Sequence, residues 1–334
     1  MPNHEYSEEP VNGTAAAAAS SVAEILALRC VPGIGRKGVH EVLRWARELR
    51  APLGEVIERG PKAWGNFARE QSAHYGATLA EHGGEALAAG AAYAEVLAEA
   101  GITCLPVDHP NYPERLRAAL GWNAPECLFG VGALHLLQEP MGAVVGGVRP
   151  DEYTRNMAGA AARALVESGA VVLSGGAAGV DQAAHRAATR AGGATIAILP
   201  EGLGGPVPHF LREALDAGRA LAVSESLPGE VWRKHAAVVR NDTIAALARL
   251  VCVIGPNRPM GSIRTGMTAL EHGRPVLVYP PAPPHAASMP LYSAPVVLLP
   301  EGPPEATVAT IKKHWELSEA PGQPWPSKGQ GELF

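Results

Sequence analysis

Apolar residues recur at helical spacing between Val22 and Leu49: Val22, Ile25, Leu26 and Leu28, then Val39, Val42, Leu43, Trp45 and Ala46. Positions three and four apart share one face of a helix, so this spacing predicts two helices with a common buried side. Val31-Pro32-Gly33-Ile34-Gly35 breaks the pattern and predicts the turn between them. A further helical stretch runs from Leu79 to Ala100, with Leu87, Ala91, Val96 and Leu97 on its apolar side. Residues 21–100 therefore read as a small all-helical domain. The polar, then alanine-rich residues 1–20 ahead of it read as disordered.

From Ile102 onward short apolar runs alternate with helical ones. Gly142–Val145, Ala170–Leu173, Thr195–Leu199, Ala220–Val223, Leu250–Ile254 and Val276–Tyr279 read as strands, with Val296–Leu299 as one more. Thr154–Glu167, Asp181–Ala191, Phe210–Ala217, Thr243–Leu247 and Thr265–His272 read as the helices between them. That alternation predicts an α/β, Rossmann-like domain over residues 101–300, a parallel sheet with helices on both faces. The loops that follow the strands gather at one edge of such a sheet, and binding is expected there. Residues 301–334 read as a C-terminal tail, rich in Pro and Gly after Ala320.

Composition refines this picture. Apolar residues make up 47% of the chain but aromatic ones only 5%, so the core is expected to be Ala, Val and Leu. No apolar run approaches the roughly 20 residues that span a bilayer. Residues 1–20 lack the basic start and apolar stretch of a secretory signal, so a cytoplasmic protein is expected. Cys30, Cys104, Cys127 and Cys252 lie apart with no C-x-x-C pair, and read as buried small apolar residues instead of disulfides or metal ligands. A net charge of −5 excludes a wholly basic coat but leaves room for a local cationic groove.

The strongest local motif is Ser174-Gly175-Gly176-Ala177-Ala178-Gly179-Val180-Asp181, where a strand runs through a glycine-rich turn into a helix. Glycines let a backbone approach a ligand, and free N–H groups at a helix start favour phosphate. A plain structural turn is the competing account of any one such loop. Several loops point the same way, however. Gly146-Gly147-Val148-Arg149 ends the first strand with a cation, Arg240-Asn241 precedes a helix, and Gly261-Ser262-Ile263-Arg264 precedes another. Together they predict a polyanion groove at the sheet edge.

Other motifs carry less. Gly33-x-Gly35-x-x-Gly38 follows a helical segment and not a strand, so it is no dinucleotide motif. Pro32-Gly33-Ile34-Gly35 fits better as the turn of a helix-hairpin-helix, whose amides can hold a phosphate, with a plain structural turn between two helices as the stronger competing account of a single copy. Asp181 and His185 stand four apart on one helix face, a spacing that suits dipole complementation and packing better than acid–base chemistry. No P-loop, zinc-protease motif or nucleophile elbow occurs, and no cofactor or metal is expected.

At these residues the chain resembles the bacterial DNA-processing family called DprA or Smf. The run Ser174 to His185 is similar to that family's S-G-x-A-x-G-I-D-x-x-A-H signature, and Gly193 to Leu199 and Ser224-Glu225 follow as they do there. Arg240-Asn241, Gly261-Ser262 and Gly273-Arg274-Pro275-Val276 fall where the family has R-N-R, S-G and G-R-x-V motifs. Asp108 to Pro113 and Leu128 to Gly132 resemble its lead-in to the core, and residues 21–100 its SAM-like domain. Departures are Val148 in the family's G-S-R, Asp242 in place of the second Arg of R-N-R, and Gly204 to Pro208 in place of a tyrosine-proline. No winged-helix domain is expected after the core.

The resemblance implies a non-catalytic, homodimeric protein that grips single-stranded DNA and assists loading of the RecA recombinase. The candidate contacts are Gly147, Arg149, Ser174, Gly175, Gly176, Gly179, Lys234, Arg240, Asn241, Gly261, Ser262 and Arg264, with His235 beside them. Few aromatics line the region, so binding is expected to be mainly electrostatic and salt-sensitive. The alternative is a nucleotide-binding or nucleotide-hydrolysing enzyme, with Asp181 or Glu225 as its base. A third reading is a purely structural partner in a larger complex, recruited through its C-terminus. The last residues, Gln330-Gly331-Glu332-Leu333-Phe334, resemble the Q-x-x-L-F peptide that docks on the replication sliding clamp.

Overall fold

The computed structural model describes residues 22–49, 51–59, 72–256, 261–281 and 289–318. Residues 1–20 and the motif Gln330, Leu333 and Phe334 lie outside the described residues. The chain divides into two units, Met1–Ala100 and Gly101–Phe334.

The first unit is helical over residues 22–30 (α1), Arg36–Leu49 (α2), Leu53–Arg59 (α3) and Ser72–Glu99 (α4). The apolar faces predicted for α1 and α2 are buried, with Ile25, Leu26, Leu28, Val39 and Val42 fully inside, whereas on α4 Leu97 is buried, Leu87 is half-buried and Ala91 and Val96 are exposed. Gly33 turns the chain between α1 and α2 at φ 79°, a left-handed conformation open to a residue without Cβ. In α4 a Cβ on Gly90 would fall 2.3 Å from the Ala23 carbonyl, and one on Gly83 would fall 2.4 Å from that of Ile57. Each glycine costs about 1 kcal/mol of helix propensity. In exchange, α4 packs backbone to backbone against its neighbours.

The second unit is built on a sheet with, among the described residues, nine strands: Thr103–Pro106 (β1), Cys127–Gly132 (β2), Met141–Gly146 (β3), Val171–Ser174 (β4), Thr195–Leu199 (β5), Ala220–Ser224 (β6), Leu250–Ile254 (β7), Val276–Tyr279 (β8) and Val297–Leu298 (β9). Their spatial order is β1-β2-β6-β5-β4-β3-β7-β8-β9. From β6 to β9 every pairing is parallel. The expected parallel sheet is present, and β1 and β2 add to it an antiparallel margin against β6. Their sequences hold Pro106, Gly130 and Gly132, which hide a strand pattern.

The intervening helices are Glu114–Leu120 (α5), Glu152–Glu167 (α6), Val180–Arg190 (α7), Arg212–Asp216 (α8), Lys234–Leu247 (α9), Ser262–Glu271 (α10), Met289–Tyr292 (α11) and Pro304–Leu317 (α12). α6, α7 and α12 cover one sheet face, while α5, α9 and α10 lie on the other. The first face closes over a core of Val144, Val172, Cys252 and Leu277 under Ala161, Leu165 and Ala184. Small residues dominate it, as composition predicts. Gly142 is one requirement of that closeness, since its Cβ would stand 2.5 Å from Leu165 Cδ2.

Three sequence expectations change here. α12 is no part of a tail: Ile311 and Trp315 enter the core, and the Arg249 guanidinium lies 4.2 Å over the Trp315 ring. α9 starts at Lys234 and not at Thr243, so Arg240 and Asn241 sit inside a helix instead of ahead of one. Cys30 is exposed, whereas Cys104, Cys127 and Cys252 are buried, with Cys104 Sγ 3.2 Å from Cys127 Sγ. Among the described residues no helix is long and apolar enough to cross a membrane.

Candidate nucleic-acid interface

The parallel strands carry their carboxyl ends to one edge, and the chain reverses its direction of winding between β3 and β7, where Gly146 pairs with Ile254. Such a switch point opens a crevice between loops. The loops after β3, β4, β5, β6 and β7 meet there, so the residues singled out from the sequence share one edge. They divide sharply into buried and exposed sets.

The glycine loops are packed against each other. The Gly147 amide donates to the Ile254 carbonyl at 3.2 Å, and the Gly147 carbonyl accepts from the Val180 amide at 3.1 Å. Gly179 has φ 90°, and a Cβ on it would stand 2.4 Å from the Gly147 oxygen. Ser174 is buried and its hydroxyl donates to the Val144 carbonyl at 2.6 Å. Gly147 and Ser174 are thus scaffold positions and not contact positions, because their polar groups are already bonded within the fold.

Below the loop lies a buried ionic knot. Arg240 is only 8% exposed, and its Nη1 donates to the Ile198 carbonyl at 2.7 Å. A Cβ on Gly175 would fall 1.7 Å from that Nη1, so this glycine is needed to let the loop lie on the guanidinium. Asp181 is buried beside it and accepts from the Ala177 amide at 3.3 Å, with the amides of Gly146 and Gly175 also turned toward it. Burial pushes the Asp181 carboxyl up to about 6, against the pull of Arg240 and these amides. The amides expected to face a phosphate therefore face an internal carboxylate. Arg240 and Gly175 organise the edge from beneath, and Asn241 is buried with them.

His185 is fully buried, and its Nδ1 lies 2.7 Å from the Thr195 hydroxyl. That hydroxyl donates to the Val172 carbonyl, so it accepts from His185 Nδ1–H. The ring stacks on Phe210 with centroids 5.0 Å apart. Burial, then the Arg240 charge, lower its pKa to about 3, so it is a neutral packing residue. Glu225 accepts from the Thr243 hydroxyl. His185 is bonded to Thr195 and Glu225 to Thr243, and Asp181, His185 and Glu225 all lie within the field of the Arg240 guanidinium. Among the described residues no cluster of His, Cys, Asp or Glu is arranged to hold a metal.

The exposed set is different. Arg149 projects from the loop after β3, and Lys234 and His235 open α9 in the open. Gly261, at φ 84°, and Ser262 start α10 half-buried at the same edge. Arg264 is exposed but forked onto Asp242, with Nε to Oδ1 at 3.0 Å and Nη2 to Oδ2 at 2.6 Å. The sequence reading missed Val231 and Trp232, which stand 71% and 59% exposed just ahead of Arg233 and Lys234. Their segment is fastened to the loop after β5 by Gly202 N–H to Glu230 O at 2.8 Å and Gly229 N–H to Leu203 O at 3.1 Å. The available signal was an apolar pair outside any helical or strand pattern, followed at once by three cations or imidazoles.

The chain shares this architecture with known proteins. The solved DNA processing protein A of Streptococcus pneumoniae superposes with a TM-score of 0.67 at 26% identity, covering 86% of this chain and 96% of that one. The Helicobacter pylori protein, whose structure describes a single-stranded DNA binding mode, superposes with a TM-score of 0.54 at 26% identity over 64% of this chain and 96% of its own. In sequence, the S. pneumoniae DNA processing protein DprA is 37% identical over 161 residues, 48% of this chain. The Escherichia coli protein Smf is 33% identical over 180 residues, 53% of this chain. The matched region spans 57% of the first and 47% of the second. Residues 103–290, from β1 to α11, match the family described as DNA recombination-mediator protein A, and this chain belongs to that family.

Proposed function

We propose that the carboxyl edge of the sheet binds single-stranded DNA and that the chain serves as a non-catalytic mediator passing that strand to a RecA-type recombinase. The observation that carries the reading is the exposed charge and ring at one sheet edge: Arg149 after β3, and Lys234 and His235 close in the chain to Trp232 after β6, on an edge organised from below by Arg240 and Asp181. Phosphates meet the cations and bases stack on the indole, the combination that holds single strands without reading sequence. Membership of the recombination-mediator family and likeness to a protein described with single-stranded DNA support it. Homodimerisation, cytoplasmic location and docking of Gln330, Leu333 and Phe334 on the sliding clamp belong to the same proposal.

The direct test is fluorescence anisotropy with a labelled poly-dT strand across a salt series, comparing wild type with Arg149→Ala/Lys234→Ala. The reading expects length-dependent binding that weakens steeply with salt and a shallower salt slope in the variant. Absence of binding at low salt overturns it. For the clamp, Leu333→Ala/Phe334→Ala should abolish co-elution with purified clamp, and retained binding removes that part.

A further inference from the structure

α6 and α7 leave a groove of about 700 Å³ between them on the solvent side of the sheet. Its floor is small: a Cβ on Gly159 would sit 3.6 Å from that of Ala187, so the helices approach closely there. Its walls are cationic. Arg155 and Arg163 stand on α6, Arg186 and Arg190 on α7, and all four are exposed. Glu152 is the acidic residue of the lining. Nearby Glu167, held by Lys312 at 2.6 Å, also feels Arg163. Asp151, which caps α6 by accepting from the Thr154 amide at 2.7 Å, also feels Arg155, while Arg186 donates to Gln182 Oε1 at 3.3 Å. Four guanidinium groups in one groove are no by-product of overall basicity, because the chain carries a net charge of −5.

Residues four apart on a helix lie about 6 Å apart along its axis, so Arg155 to Arg163 extends about 12 Å. That is a track and not a pocket for one small anion. Guanidinium forks match phosphate oxygens in pairs, and no aromatic residue lines the groove to read or stack a base. The groove also begins where the carboxyl edge ends, since α6 starts immediately after Arg149-Pro150-Asp151. At its far end it runs across Arg186 and Arg190 into a hollow of about 460 Å³ whose lining mixes Arg212 with Glu213 and Asp216.

We propose that this groove is a second phosphate track, along which a nucleic-acid strand seated at the carboxyl edge continues over the α6–α7 face. The inference rests on the reading of that edge as a nucleic-acid site. It adds a base-independent segment whose contacts are purely to the backbone, so affinity should grow with strand length beyond what the edge alone can hold.

The test compares labelled dT strands at the two ends of the usual single-domain site range, about 4 and about 16 nucleotides. Two surface variants are used: Arg163→Ala/Arg186→Ala/Arg190→Ala for the groove and Arg149→Ala/Lys234→Ala for the edge, with matched thermal melts confirming the fold. The groove variant should bind the short strand like wild type. It should bind the long strand at least about tenfold more weakly, with the log–log salt slope reduced by about 2, as expected for three lost phosphate contacts. Unchanged long-strand affinity and slope in the groove variant overturns the track. If the edge variant still loses binding, the edge reading survives that result. Loss in the groove variant with none in the edge variant upholds the groove as an anion site and overturns the edge. No binding of either strand by wild type overturns both.

Discussion

Asp242 holds Arg264 in a two-pronged ion pair, and Thr268 donates a third bond to the same carboxylate at 3.2 Å. Asp242 stands where the family motif has a cation, and it both removes that charge and neutralises the next one. Arg149, Arg233 and Lys234 are exposed cations of the edge that this pairing does not reach.

Asp242→Asn should therefore release Arg264 toward the strand. The expected result is tighter poly-dT binding with a salt slope steeper by about 0.7, the increment of one phosphate contact on single strands. Anisotropy titrations at several salt concentrations measure it. An unchanged slope would place Arg264 off the path of the strand.

Arg240 offers the opposite case. Its guanidinium is buried under Gly175 beside Asp181, so Arg240→Ala leaves a buried carboxylate without its cation and a void under the loop. Breaking a buried pair in this way costs about 3–5 kcal/mol. Urea unfolding should show that loss, while the folded variant keeps the wild-type salt slope. A slope lowered by about 0.7 with stability intact would instead make Arg240 a strand contact.

His185 and Asp181 should pull acid stability in opposite directions. The folded pKa of His185 is depressed from 6.5 to about 3, so its contribution is present above pH 6.5 and lost as pH falls toward 3. Asp181 is raised from 3.8 to about 6, so its contribution is full below 3.8 and lost as pH rises through 6. In His185→Gln only the Asp181 effect remains, and stability should rise from pH 7 to 4, by at most about 1.4 kcal/mol per unit. In Asp181→Asn it should fall over the same window. Urea midpoints at pH 7, 6, 5 and 4 decide this, and parallel profiles in the two variants would contradict the assignment.

Trp232 should contribute through stacking alone. Trp232→Ala is expected to lose about 1–3 kcal/mol of strand affinity with no change in salt slope, and Trp232→Phe to recover most of it. Strand binding should also quench indole fluorescence in wild type by more than in Trp232→Phe. Equal quenching in both would remove Trp232 from the contact.

The legible parts of the chain were those where one physical demand acts alone. β7 and β8 are uninterrupted apolar runs, β5 is one behind Thr195, all are buried on both faces, and their predicted bounds coincide with the observed ones. The glycine loop after β4 was recognisable because only close backbone approach explains so many glycines. Its purpose was not, because the sequence does not tell whether the loop amides face outward to a ligand or inward to Asp181. α9 was truncated in the sequence reading because Arg240-Asn241-Asp242 looks like a polar break. Arg240 and Asn241 turn inward, and the cost of burying Arg240 is offset by the Ile198 carbonyl of β5 and by Asp181. The α6–α7 groove was invisible for a related reason: Arg155, Arg163, Arg186 and Arg190 are ordinary surface residues on two helices until the fold sets those helices side by side.

The margins of the sheet bear on how copies of the chain can meet. β1 has four residues and ends on Pro106, which lacks a donor, and β9 has two. Long unpaired margins recruit further strands and seed aggregation, whereas short ones interrupted by proline offer too few donors and acceptors to extend. Among the described residues, neither margin of the sheet therefore offers a ready template for growth from molecule to molecule. Self-association of this domain is left to its helices and loops, where side-chain complementarity, and not backbone pairing, selects the partner.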